Sequence, residues 1–135
     1  MKFSTKSQYG LRAVLNLAEH TNQEPKPLSQ ISDEEEIPYA YLEQIFSLLK
    51  KNKIVKGVRG AAGGYRLGSK PNKITIKKLF NTLEGPLVSL SCVQGNKPCR
   101  KEQDCKAKRV WKQIDNSLNQ ALSNLTLADL INNHE

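Results

Sequence analysis

Apolar residues recur along the chain with spacings that sort it into elements. Gly10, Ala13, Val14, Leu17 and Ala18 repeat at helical intervals and predict a helix over Ser7–His20. Leu11 and Leu15 add a second apolar face, so this helix is expected to be covered on two sides, with a partner chain a candidate for the second. The breaker-rich stretch N-Q-E-P-K-P-L at 22–28 is a connector, and Ser29 is placed to cap a short helix to Glu35 with Ile31 turned inward. The acidic run Asp33–Glu36 reads as a solvated face pointing away from any phosphates. Pro38 suits the first position of the next helix, where its missing N–H costs nothing.

In that helix Leu42, Ile45, Phe46 and Leu49 form an apolar stripe down to about Lys51, which turns Tyr39, Ala40, Glu43, Gln44 and Ser47 outward. A short helix, a tight turn and a second helix with a polar outer face make a helix-turn-helix pattern. The β-prone runs Ile54–Val58 and Tyr65–Leu67 flank R-G-A-A-G-G and predict a hairpin whose glycines Gly60, Gly63 and Gly64 leave the tip free of bulk. Arg59 at such a tip is suited to an A·T-rich minor groove. A nucleotide-phosphate loop is disfavoured, because no Gly-Lys-Ser/Thr follows.

Ile76, Leu79, Phe80 and Leu83 predict a helix over Ile74–Leu83, stopped by Glu84-Gly85-Pro86. From Lys106 to about Asn124 the stripe Val110, Ile114, Leu118, Ala121, Leu122, Leu125, with Trp111 beside it, predicts a long amphipathic helix. Few elements remain downstream to cover it, so packing against a second copy is expected, with folding back onto the first unit as the rival. Thr126–Asp129 resembles a capping box for a last helix carrying Leu127, Leu130 and Ile131. The fold class is therefore mainly α with a small β-hairpin wing: a winged helix-turn-helix plus a long dimerisation helix. The expected division is a DNA-binding domain at 1–83, a cysteine loop at 84–108, and dimerisation and C-terminal helices at 109–135.

Charge sharpens this picture. The 135-residue chain carries 21 Lys and Arg against 13 Asp and Glu, a net +8. Between Gln44 and Leu83 there are ten basic residues and no acidic one, which predicts a basic face for a polyanion. No apolar run is long enough to cross a membrane and the N-terminus lacks a signal peptide's apolar core, so a cytoplasmic protein is expected. No histidine adjoins a plausible nucleophile, and no carboxylate pair suggests acid–base work, so no enzyme and no small-molecule substrate is expected. His20 falls where a helix dipole favours a cation, a role preferred here to metal ligation.

Three cysteines, Cys92, Cys99 and Cys105, form a C-x6-C-x5-C array, and the chain has no others. An odd number in a reducing compartment points to metal or redox chemistry rather than a disulfide framework. The long intervals and the turn residues Gly95, Asn96 and Pro98 suit an iron-sulfur cluster better than one zinc ion. The surrounding lysines and arginines would favour thiolates in either case, or in a simple thiol sensor. All three chemistries stay open on spacing alone.

M-K-F-S-T-K-S-Q-Y-G-L-R-A, Y-L-E-Q-I-F-S-L-L-K-K-N-K-I-V, V-R-G-A-A-G-G-Y-R-L, the three cysteines and L-T-L-A-D-L, in this order, resemble the Rrf-type bacterial winged-helix regulators across nearly the whole chain. The resemblance is greatest to the iron-sulfur cluster regulator (IscR) branch, with the nitric-oxide-sensing NsrR branch second. It implies a homodimer on double-stranded operator DNA, with Tyr39, Ala40, Glu43 and Gln44 in the major groove and Lys50 and Lys51 beside them. Arg59, Gly60, Gly63 and Gly64 would form the wing, and Cys92, Cys99 and Cys105 would hold the cluster, 2Fe-2S ahead of 4Fe-4S. Val110, Trp111, Ile114, Leu118, Leu122 and Leu125 would line the dimer interface. Lys108 stands where the IscR branch carries a histidine ligand, Gln8 stands where NsrR draws an aspartate, and the first cysteine interval is one residue longer than usual. The alternatives are a zinc- or thiol-based sensor or interaction module without a cluster, and a 4Fe-4S nitric-oxide-sensing repressor.

Overall fold

The computed structural model describes residues 3–20, 24–61, 63–86 and 106–132. Helix α1 (Thr5–Ala18) begins two residues before the expected start, because the Ser4 hydroxyl accepts from Ser7 N and caps it. Gly10, Ala13, Val14 and Leu17 form its buried face, and Leu11 and Leu15 are half-buried against the core. Helix α2 (Leu28–Glu35) is preceded by Pro27 at the cap position, without a side-chain cap bond, so Ser29 lies inside the helix and exposed rather than at its cap.

The turn from α2 to α3 (Tyr39–Lys51) is tight: Glu36 is left-handed at φ 55°, Ile37 N donates to Ser32 O at 3.1 Å, and Ser32 Oγ donates to Ile37 O at 2.5 Å. Pro38 occupies the cap rather than the first turn. Leu42, Ile45, Phe46 and Leu49 are fully buried, as the stripe requires. Strands β1 (Val55–Val58) and β2 (Gly64–Leu67) pair antiparallel in the register Val55–Leu67, Lys56–Arg66, Gly57–Tyr65 and Val58–Gly64. Opposed residues share a face, and Tyr65 stacks edge-on against Phe46 with centroids 5.0 Å apart, so Gly57 and Tyr65 look inward and Lys56 and Arg66 outward.

The connector adds a third rung that the pattern did not reveal. Lys26 and Tyr65 exchange both backbone bonds at 2.8 Å, placing 26 on the free edge of β2. A 3-10 turn (Pro71–Lys73) leads to α4 (Ile76–Leu83), capped by the Thr75 hydroxyl. Helix α5 (Lys106–Ser123) is the long helix, and none of its residues is buried. Helix α6 (Leu127–Asn132) starts with the expected capping box, with Thr126 N donating to Asp129 Oδ2 at 3.0 Å and Asp129 N to Thr126 Oγ1 at 3.3 Å.

Helix α6 closes the fold. Ile76 N donates to Leu125 O at 2.9 Å and Leu127 N to Ile74 O at 3.0 Å, so the chain end is stitched to the start of α4. Leu127 is 0 % exposed and shares one core with Val14, Ile31, Phe46 and Leu79. A core reaching from α1 to α6 ties the carboxyl end of the long helix to the winged helix, so that helix leaves the unit in a defined direction.

Candidate nucleic-acid interface

The geometry of α3 follows from its stripe. With the apolar side sunk, Tyr39 (47 % exposed), Ala40, Glu43, Gln44 and Ser47 stand in solvent, and so do Lys50 and Lys51 in the last turn, where cations suit the helix dipole. A side chain built at Gly57 would meet the Lys50 ammonium at 3.3 Å, so the bare glycine lets Lys50 lie against β1. That contact links the basic end of α3 to the hairpin.

At the hairpin tip Arg59 is exposed, and Gly63 N donates to Gly60 O at 2.9 Å to close the turn. The glycines divide by role. Gly60, at φ 114° with open space around it, supplies the left-handed turn and the bare tip. Gly64, at φ 153°, is required by packing, because a Cβ there would collide with the Lys26 carbonyl.

Apart from Glu43, the acids nearest this unit, Glu34, Glu35 and Glu84, are engaged by partners of their own. Lys26, only 6 % exposed, donates from Nζ to Asn16 Oδ1 and Glu34 Oε1, each at 2.5 Å. The Lys26 hydrogen bond, aided by Gln30 and Asn16, pulls the Glu34 carboxyl from 4.5 to about 2. Glu35 takes Asn16 Nδ2 at 2.7 Å and lies 3.4 Å from Arg12 Nε, and the Arg12 guanidinium also donates to the Glu35 carbonyl. So the run read as merely solvated clamps α2 to α1 through Glu34 and Glu35, while Asp33 and Glu36 stay exposed. At the other end of α1, Glu84 accepts from Ser4 N at 3.1 Å, from Ser4 Oγ at 2.6 Å and from the fully buried Ser7 hydroxyl, bonds that hold its carboxyl below the usual range.

Along α5, Val110 (53 %), Trp111 (39 %) and Ile114 (36 %) are exposed, Leu118 is half-buried, and Leu122 packs against the core. Leu125, past the helix end, is exposed. The apolar stripe thus runs from a covered end to an uncovered one. Cys92, Cys99 and Cys105 lie outside the described residues, and among those described no cluster of His, Cys, Asp or Glu could hold a metal ion. Gln8, on the exposed side of α1, donates to Phe3 O at 3.0 Å.

An iron-dependent transcriptional regulator model, Rrf2, matches residues 3–133. The chain belongs to the Rrf2 family. It is 35 % identical over all 135 residues to the HTH-type transcriptional regulator IscR of Pectobacterium atrosepticum, covering 82 % of that protein. Among solved structures, CymR (YrzC), the global cysteine regulator of B. subtilis, superposes with TM-score 0.83 at 34 % identity, covering 100 % of this chain and 99 % of that one. T. potens IscR superposes with TM-score 0.80 at 33 % identity, over 98 % of this chain and 87 % of that one. The winged-helix architecture and DNA-binding regulation are therefore properties of this Rrf2 protein. No helix among its described residues is long and apolar enough to cross a membrane.

Pattern reading passed over several residues of this Rrf2 fold. Lys26 falls in the connector and Glu84 in a helix stop, and only their partners reveal them as clamps. Lys56 and Arg66 belong to the basic run, and only the ladder register sets them opposite each other on one face.

Proposed function

We propose that the protein is a cytoplasmic, homodimeric transcriptional regulator whose binding to double-stranded operator DNA depends on an iron-sulfur cluster. The observation that carries the DNA reading is the exposed polar face of α3, joined through Lys50 and Gly57 to the hairpin, with no acidic residue between Gln44 and Leu83. Tyr39, Ala40, Glu43 and Gln44 read bases in the major groove, and Lys50 and Lys51 meet phosphates. Arg59, on a tip stripped by Gly60, Gly63 and Gly64, enters the minor groove.

The dimer is carried by the uncovered apolar stripe. Val110, Trp111 and Ile114 are core-type residues left in solvent, with Leu118, Leu122 and Leu125 continuing their line. A second copy of α5 would cover them.

Three soft thiolates at Cys92, Cys99 and Cys105, among lysines and arginines, suit iron-sulfur ligation. Bound there, a cluster supplies redox-sensitive iron–thiolate bonds. In sequence the cysteines stand between α4 and α5, so ligation would bear on how the winged helix and the long helix are set relative to each other. Glu84, bonded to Ser4 and Ser7, fixes the last turn before that stretch. A 2Fe-2S cluster is preferred to 4Fe-4S, and the fourth ligand lies outside both family solutions, since Lys108 and Gln8 occupy those positions.

Anaerobically purified protein is expected to show visible charge-transfer absorption that Cys92→Ala abolishes, and to bind the promoter region upstream of its own gene differently with and without cluster. Colourless protein holding no iron or sulfide after reconstitution would sink the cluster. The second reading is then a zinc- or thiol-based sensor or interaction module of the same fold without a cluster, resting on the same three cysteines.

A further inference from the structure

The hairpin ladder sets Lys56 directly opposite Arg66. Opposed residues in an antiparallel pair lie with their Cβ atoms about 5 Å apart, and like charges there repel. A hairpin selected for stability alone would carry an opposite charge or a threonine at one of these positions. Both side chains are exposed on the outer face, and neither has an acidic partner within salt-bridge distance among the described residues. The repulsion is left for something else to neutralise.

Beside this pair the surface is concave. Lys56 and Arg66 line a cavity of about 380 Å³ between the base of the hairpin and the end of α1, together with Lys70 and His20. Glu24 lines it too and is the one acid among its described lining residues, which leaves three permanent cations against a single carboxylate. Lys50 of α3 lies against the other face of the hairpin, at Gly57, so cations border the wing on both of its faces. Arg59 is three residues beyond Lys56 along the chain, about 10 Å at strand rise, or roughly three base-pair steps of duplex.

We propose that Lys56, Arg66 and Lys70 form a phosphate subsite that grips the DNA backbone next to the groove entered by the wing tip. This deepens the DNA-binding reading above and rests on it. Arg66 brings a planar fork matched to phosphate oxygens, and the lysines bring point charges. A small-molecule pocket buries most of its ligand, whereas these cations stand at the surface, where a polyanion can run past them. The subsite adds affinity and register but reads no bases.

The test is the salt dependence of binding by the Lys56→Gln/Arg66→Gln double variant, measured on the operator and on a scrambled duplex. The subsite predicts weaker binding to both duplexes alike, with the slope of log K against log salt shallower by about one to two. Removing the like-charge pair should leave the thermal midpoint unchanged or raised. Should the double variant fold poorly, Lys70→Gln, outside the ladder, is expected to lower the slope by about one. An unchanged slope, or a loss confined to the operator, overturns the subsite. So does pyrophosphate, added to DNA-free protein, if it saturates the Lys56 and Arg66 resonances without competing with DNA. If the wild-type protein itself binds no DNA in salt-dependent fashion, the regulator reading fails and takes the subsite with it. Wild-type binding with an unaltered variant slope removes the subsite alone.

Discussion

The Lys26 ammonium lies 2.5 Å from the Glu34 carboxylate, although Lys26 is almost wholly buried and Glu34 is 42 % exposed. The pair joins the connector, itself hydrogen-bonded to β2, to the first helix of the helix-turn-helix. Its strength depends on Glu34 being ionised. Because the folded protein holds Glu34 at about 2 against an ordinary 4.5, the folded state binds this proton less readily than the unfolded one. The stabilisation is thus full above 4.5 and fades as the pH falls towards 2. Urea midpoints of wild type and Glu34→Gln should differ at neutral pH and converge through that acid window, and salt should trim the neutral-pH difference because Glu34 is exposed. A gap that persists below the window would assign the effect to packing.

Gly64→Ala should destabilise the protein by roughly 1–3 kcal/mol, since it adds strain at φ 153° and drives a methyl into the Lys26 carbonyl. The backbone exchange between Lys26 and Tyr65 must open to admit it. Hydrogen exchange at the Tyr65 amide is the direct readout: it should accelerate in Gly64→Ala and stay protected in Gly60→Ala, where there is open space.

Glu84→Ala is expected to cost roughly 1–3 kcal/mol, the penalty for stranding the Ser7 hydroxyl, which is 0 % exposed. A Ser7→Ala/Glu84→Ala double variant should recover part of that loss in chemical denaturation. Equal losses for the single and double variants would argue against the bond.

On the DNA side, Arg59→Ala should weaken binding at an A·T-rich site by roughly 1–3 kcal/mol. Glu43→Ala should act differently. A carboxylate on α3 can accept from cytosine N4 but repels phosphates, so its removal should tighten binding to noncognate duplexes and relax sequence choice. A site-selection profile identical to wild type would refute that role.

Two leucine-type contacts separate stability from assembly. Leu127→Ala should cost roughly 2–5 kcal/mol, because the side chain is fully buried within one chain. Ile114→Glu sits on the exposed part of α5 and should leave helicity intact while converting a dimer to a monomer in sedimentation. A dimeric Ile114→Glu would place the interface elsewhere.

Periodicity made most of this fold readable. The α3 stripe told which of its residues are buried, and the same four are the buried ones. The capping box at Thr126 and the hairpin around R-G-A-A-G-G were also plain, since caps and turns are local chemistry. Errors arose where a residue's role depends on a distant partner. Ser29 looked like a cap, but the cap position is Pro27, two residues earlier, directly after Lys26, which the ladder holds to Tyr65. The acids of α2 looked solvated because their partners, Arg12, Asn16 and Lys26, come from α1 and the connector.

By itself the amino-acid order determined the elements, the apolar face of each helix, the acid-free basic stretch and the three cysteines, since these follow from local spacing and composition. Only the tertiary structure decided that Leu127 closes the core of the winged helix, that Glu84 and Glu34 are clamps, and that the apolar line of α5 is covered at Leu122 but bare at Val110. Those outcomes depend on which surfaces meet across tens of residues, and a one-dimensional pattern can mark a face as apolar without naming what covers it.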